Sequence, residues 1–291
     1  MELVYDKYKN SADDFRIFML EIINQKYDIY RHNLVIYSKE ISSDNIHNFR
    51  VSSRRFRTAL NLYKEIFPSE YFEIIIKIVK QNFKSLGDLR DIYIMINNCK
   101  EIKIQYSVIC YFIDFLLRKE KKAIAEISKS LSNINLNQLD NSIFFLINDL
   151  KYAFPDIKPD FSILENHLND QLYLMGQLYS QIDYSDLRSI HTFRIATKKF
   201  RYSIEILQDF IPNYKDLYKR LVNIQDDAGA IQDNVVLINH LNKYFKKQHN
   251  QALYYQEQIE SIVNFLKTRQ KDLIICFQND DKIIRSIIGN T

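Results

Sequence analysis

Apolar positions recur every three or four residues along most of this chain, the spacing that lines one face of an α-helix. The pattern predicts a first long helix over 12–35. Ser42–Ser43–Asp44 is a cap-rich start for a second helix running to about Ile66. Phe67–Pro68–Ser69 ends it, because proline excludes the αR conformation from the residue before it. Helical spacing resumes to about Ser85, breaks at Leu86–Gly87–Asp88, and continues with a long helix over 101–130. Residues 131–142 are rich in Asn, Ser and Asp and are expected to form a loop ahead of a short apolar helix near 143–153. Pro155 and Pro159 punctuate the middle of the chain. The second half repeats the rhythm: a helix over 160–180, another from Ser185–Asp186 to Phe210, a break at Ile211–Pro212–Asn213, a helix to Asp227, an interruption at Gly229, and helices to the end. No segment has the alternation or turn chemistry of a hairpin. The fold class expected is all-α.

Composition strengthens that expectation. The 291 residues include only 4 Gly and 4 Pro, too few for a sheet protein with many tight turns. Hydrophobic residues make up 46% and charged residues 26%, the balance of a soluble globular protein. The formal net charge of +4 does not itself imply a polyanionic partner, so any such partner must be argued from where the charge sits. Cys99, Cys110 and Cys276 are far apart and odd in number, which suggests three buried reduced thiols in a cytoplasmic protein and neither a disulfide framework nor a zinc site. The N-terminus has no signal-peptide pattern, and the most apolar stretch, Tyr111–Leu117, is short and contains Asp114. Neither a membrane span nor a cofactor is expected.

The chain is internally duplicated. His47–Arg57 reads HNFRVSSRRFR, and His191–Arg201 reads HTFRIATKKFR, 144 residues later. Gly87 and Asp91 of LGDLRD recur as Gly229 and Asp233 of AGAIQD, 142 residues later. The two copies are a repeat over about 12–153 and another over about 160–285. At about 100° per residue, His47, Arg50, Arg54 and Arg57 fall within an arc of roughly 80°. Phe49, Phe56, Leu60 and Tyr63 take the other side. His191, Arg194, Lys198 and Arg201 likewise share a face opposite Phe193, Phe200, Ile204 and Leu207, and Arg55 and Lys199 flank the two stripes. No acidic residue lies between Asp44 and Glu65 or between Asp186 and Glu205, so like charges are stacked without compensation inside either helix. Such a helix faces either acidic neighbours, for which Asp88, Asp91, Asp226, Asp227 and Asp233 are available, or an anionic ligand. Duplication in register favours the ligand, as does arginine, whose planar fork suits phosphate oxygens. The cations around each histidine, and the lack of HxxxH spacing, argue against a metal.

The pattern H-x-x-R-[VI]-x-x-[RK]-[RK]-x-R, followed by G-x-x-x-D, resembles the signature of the CHAD family, the conserved-histidine α-helical domain. Lys198–Leu207 (KKFRYSIEIL) and Leu221–Asp233 (LVNIQDDAGAIQD) resemble its second-repeat pattern. The likeness runs from about residue 12 to about residue 285. It implies a single domain over 1–291 made of two pseudo-symmetric helical bundles of about four helices each, with a basic groove or channel between them. It also implies binding of inorganic polyphosphate and, for some members, localisation to polyphosphate granules. The ligand face it implies comprises His47, Arg50, Arg54, Arg55, Arg57, His191, Arg194, Lys198, Lys199 and Arg201, with Lys80 and Arg90 matching further basic positions. Lys77 and Lys84 share a helical face with Lys80, and Arg220 is a weaker second-half candidate. Ala228 stands where the family often has leucine, and Gln232 is the counterpart of Arg90, so an asymmetric lining is implied. No E-x-E-x-K motif of a triphosphate-tunnel domain occurs, and the expectation is a stand-alone member.

Polyphosphate is a flexible chain of charges with no bases to read, and a continuous positive track suffices to hold it. Three alternatives remain. A nucleic-acid-binding helical protein would place aromatics among the basic residues, whereas Phe49, Phe56, Phe193 and Phe200 point away from them. A metal-dependent phosphatase or polyphosphatase would need clustered carboxylates, and the aspartates above match no catalytic spacing. An adaptor that brings polyphosphate-associated proteins to the polymer is compatible with binding. The expectation is a non-enzymatic binder.

Overall fold

A computed structural model describes residues 12–84, 86–131, 134–153, 161–208, 211, 214–248 and 254–289. These residues form eleven α-helices and no strand. The first half contains α1 (Ala12–Lys39), α2 (Ser43–Tyr63), α3 (Tyr71–Lys84), α4 (Gly87–Lys103), α5 (Ile109–Leu131) and α6 (Leu136–Asn148), with α6 prolonged by a π-helical turn at Asp149–Ala153. The second half contains α7 (Phe161–Ser180), α8 (Leu187–Leu207), α9 (Tyr214–Lys247), α10 (Gln256–Asn279) and α11 (Asp281–Ile288). Pro155, Pro159, Pro212 and Asn213 lie outside the described residues.

Both basic helices begin at the expected caps. The Ser42 side chain accepts from the Asn45 amide at 3.2 Å, and the Asp186 carboxylate accepts from the Arg188 amide at 3.1 Å. Each cap satisfies a donor that the helix leaves without an intrahelical partner. Three expectations fail. Most of the stretch expected as a loop over 131–142 is helix: Asn135 caps α6, its side chain accepting from the Gln138 amide at 3.0 Å, and the helix begins at Leu136, while 132 and 133 lie outside the described residues. Gly229 does not interrupt its helix: α9 runs unbroken through it, and none of the described glycines has a positive φ. The single helix α9 therefore occupies the place that the separate helices α3 and α4 hold in the first repeat. The long helix expected over 101–130 is split by a break at 104–108.

The phenylalanines opposite the basic stripes anchor the fold. Phe49, Phe56, Phe193 and Phe200 are fully buried, each contributing on the order of 2 kcal/mol of apolar burial. The Tyr37 ring stacks on Phe49 at 5.1 Å, and Tyr30 lies 5.4 Å from both Phe49 and Phe56, fixing α2 on α1. In the second repeat Phe193 packs on Tyr179 of α7 at 5.3 Å and on Phe277 of α10 at 5.9 Å.

Buried residues do not divide into one core per repeat. The larger cluster runs through both halves, from Met19 and Phe56 to Phe193 and Ile287. The smaller one joins α4 and α5 to the later part of α9 and to α10, through Ile96, Cys99, Phe112, Leu237, Tyr244 and Leu266. In each repeat a tyrosine–aspartate hydrogen bond ties the first helix to the last: Tyr27 to Asp140, which Arg31 also grips at 2.9 Å, and Tyr179 to Asp281 at 2.5 Å. The cysteines are free, but only Cys99 is buried; Cys110 is partly buried and Cys276 is exposed, which corrects the expectation for that residue. Among the described residues no helix is long and apolar enough to cross a membrane.

Candidate functional site

The stripes of α2 and α8 meet, because these two helices pack directly on each other. Lys198 of α8 lies in the field of Arg50 and Arg54 from α2 and of Arg194 and Arg201 from its own helix. Burial, reinforced by those four cations, drives its pKa down to about 7. Arg50 is pushed down to about 10, by burial first and then by Arg54 and Arg90. Burial and Arg54 also lower Arg57. Among the described residues no carboxylate forms an ion pair with Arg50, Arg54, Arg57, Arg194 or Lys198. Two buried donors on this surface, Arg50 Nη1 and Arg194 Nε, and the buried ring nitrogen His191 Nδ1 have no hydrogen-bond partner among the described residues. Unmade hydrogen bonds at buried groups are costly, and so is an unneutralised cluster of cations. Both costs would be relieved by an anion.

The glycine–aspartate motifs explain how the cations are seated. A Cβ on Gly229 would lie 3.4 Å from Arg194 Nε, and one on Gly87 would lie 4.0 Å from Arg50 Nη1. Gly229 thus gives the Arg194 guanidinium close access to the α9 backbone, while Gly87 leaves ordinary clearance to Arg50. One turn further along, Asp91 acts on Arg50 and Asp233 on Arg194, and the two aspartates also feel each other. Burial raises both carboxyl pKa values, while these arginines oppose the rise. The aspartates moderate the charge without forming contact ion pairs with it. Arg90 of α4 acts on both, and on His47, whose pKa is lowered by partial desolvation of its ring and then by Arg90 and Arg54.

Not every residue of the expected face belongs to this cluster. Arg201 is turned inward and is only 7% exposed. Its Nε donates to Gln225 Oε1 at 2.8 Å, its Nη1 donates to the Tyr218 hydroxyl at 3.2 Å and approaches Glu205 at 3.4 Å, and it stacks on Tyr202 at 4.1 Å. The helical wheel put it on the right side of α8, but α9 covers that side at its C-terminal end. Arg55 bridges the two basic helices with Nε 2.5 Å from Glu205 Oε1. Lys199, Lys80 and His47 are exposed, and Arg220 is engaged with Asp216, Ser286 and the Ile283 carbonyl at the α11 junction. The sequence pattern missed Phe83 of α3, whose ring faces three of the arginines: the Arg50, Arg54 and Arg57 guanidinium carbons lie 4.8, 5.5 and 5.8 Å from its centroid. Among the described residues no group of three or more His, Cys, Asp and Glu side chains is placed to hold a metal ion.

A family model described as the CHAD domain matches residues 27–242, which include both basic helices and both glycine–aspartate motifs. The chain belongs to the CHAD family. Among solved structures, the CHAD domain from the plant Ricinus communis is similar over 95% of this chain and 92% of its own, at 17% identity and a TM-score of 0.66. PptA from Streptomyces chartreusis is similar over 92% of this chain and 99% of its own, at 10% identity and a TM-score of 0.66. At such identities the likeness establishes the CHAD fold alone. No curated protein matches the sequence.

Proposed function

We propose that this CHAD protein binds inorganic polyphosphate non-covalently across the surface where α2 and α8 meet, and performs no chemistry on it. The observation that carries this reading is the convergence of Arg50, Arg54, Arg194 and Lys198 without a carboxylate ion-pair partner among the described residues, together with the buried unpaired donors of Arg50 and Arg194. A polymer with a charge at each phosphate would bring acceptors to all of them and displace condensed counterions as it bound. The contact set is His47, Arg50, Arg54, Arg57, Arg90, His191, Arg194 and Lys198, with Lys80 and Lys199 at its edges. Arg55 and Arg201 are structural, because Glu205 holds both. Phe49, Phe56, Phe193 and Phe200 are buried and offer bases no stacking surface, and the ring of Phe83 is already engaged by Arg50, Arg54 and Arg57. The reading extends to a cytoplasmic protein that brings itself, and proteins attached to it, to polyphosphate bodies.

The test is an Arg54→Ala, Lys198→Ala double variant titrated with long-chain polyphosphate, with single-stranded DNA as competitor at fixed salt. Loss of polyphosphate affinity with unchanged helical circular dichroism supports the site. Unchanged affinity, stronger competition by DNA, or phosphate release in the presence of Mg²⁺ would overturn the reading.

A further inference from the structure

We propose that Phe83 is a positioning residue of the anion site, presenting the first repeat's arginines to the ligand while leaving their hydrogen-bond donors free. The inference rests on the polyanion-binding reading of the site.

Arg50, Arg54 and Arg57 lie on one helix face at spacings of three and four residues, where like charges repel. They nevertheless gather around a single ring. An aromatic face attracts guanidinium through its quadrupole, and it does so without accepting N–H bonds in the plane. A carboxylate in the same place would hold the arginines equally well but would occupy the donors and cancel the charge. Arg50 Nη1 remains without a protein partner although it is buried, as this arrangement allows.

The second repeat provides the contrast. Gln225 stands 142 residues after Phe83, the same offset that relates Gly229 to Gly87 and Asp233 to Asp91. Gln225 accepts a hydrogen bond from Arg201 at 2.8 Å, the counterpart of Arg57. Arg201 is therefore tied by an amide, a phenol and a carboxylate, and buried, while Arg57 rests partly exposed against a ring. Three exchanges between the repeats, Phe83 for Gln225, Ile76 for Tyr218 and Asn61 for Glu205, separate an arginine kept for a ligand from an arginine kept for the fold. The site is asymmetric: the first repeat supplies oriented guanidinium groups, and the second supplies Arg194 and Lys198.

The experiment uses the full chain as wild type, Phe83→Leu and Phe83→Tyr. Arginine side-chain ¹⁵Nε relaxation is measured without ligand, and polyphosphate affinity is then measured over a range of salt concentrations. Phe83→Leu is expected to lower the order of the Arg50, Arg54 and Arg57 side chains, to weaken binding about tenfold and to flatten its salt dependence. Phe83→Tyr, which keeps the ring face, is expected to restore all three. Unchanged arginine order in Phe83→Leu overturns the inference. So does a loss of affinity that Tyr fails to rescue, or one that merely follows a fall in Tm. If the wild type itself does not bind polyphosphate, the functional reading fails, and the relaxation data still decide whether Phe83 holds the arginines.

Discussion

Arg194 lies against the backbone of α9 at Gly229, its Nε 3.4 Å from the point where a side chain at 229 would begin. The glycine that looked like a helix break in the sequence is a seat for a cation in an unbroken helix.

Gly229→Ala should therefore separate stability from binding. Alanine favours a helix interior by about 1 kcal/mol over glycine, so thermal stability should hold or rise. The new methyl would touch the guanidinium at 3.4 Å from Nε, the short end of van der Waals contact, and narrow its freedom to meet a ligand, so polyphosphate affinity should fall modestly. Gly87→Ala, with 4.0 Å of clearance to Arg50, should have the smaller effect. Thermal melts and titrations on the two variants check this; a Gly229→Ala protein that binds normally would remove the close approach from the account.

The lowered pKa of Lys198 should make polyphosphate binding sensitive to pH. With a folded value of about 7, against about 10.4 for an unfolded lysine, the unfolded chain binds the extra proton between those limits. Stability therefore rises with pH across that window, and the cost of the buried charge is fully present below pH 7. Lys198→Met should raise the urea midpoint at pH 6 and lose most of that advantage at pH 10. An arriving polyanion favours the protonated amine, so binding should take up a proton and weaken as pH rises above 7. Calorimetry in buffers of different ionisation heat measures that proton, and Lys198→Arg should abolish it.

Glu205 is the buried carboxylate that holds Arg55 and Arg201. Glu205→Gln should destabilise the protein by roughly 3–5 kcal/mol, because Arg201 then remains buried without a countercharge. Arg201→Met should also lower the denaturation midpoint, though by less, while polyphosphate affinity stays within about twofold of wild type. A large loss of affinity in Arg201→Met would return this residue to the ligand face.

Charge removal within the cluster should act in the opposite sense. Arg54→Ala relieves repulsion on Arg50, Arg57 and Lys198, so the free protein should melt at the same or a higher temperature. Affinity for polyphosphate should drop, and the slope of log K against log salt should fall by about 0.7, the loss of one phosphate contact on a single-stranded polyanion. A slope unchanged in Arg54→Ala would place that arginine outside the binding surface.

The sequence by itself determined the helices, the caps at Ser42 and Asp186, the burial of Phe49, Phe56, Phe193 and Phe200, and the duplication that marks the two basic stripes. These follow from local rules: a fixed turn of 100° per residue, and end-groups that a side chain can satisfy within three positions. Even there, composition misled at 131–142, where Asn135 is a cap and the polar residues after it lie in a helix. Only the tertiary structure decided that the stripes face each other, that α9 covers Arg201 while Arg194 and Lys198 remain available, and that Phe83 of α3 lies beneath three arginines. A helical wheel fixes which residues share a face. It carries no information about what will lie against that face, because the covering element comes from elsewhere in the chain and is selected by the packing of the whole core.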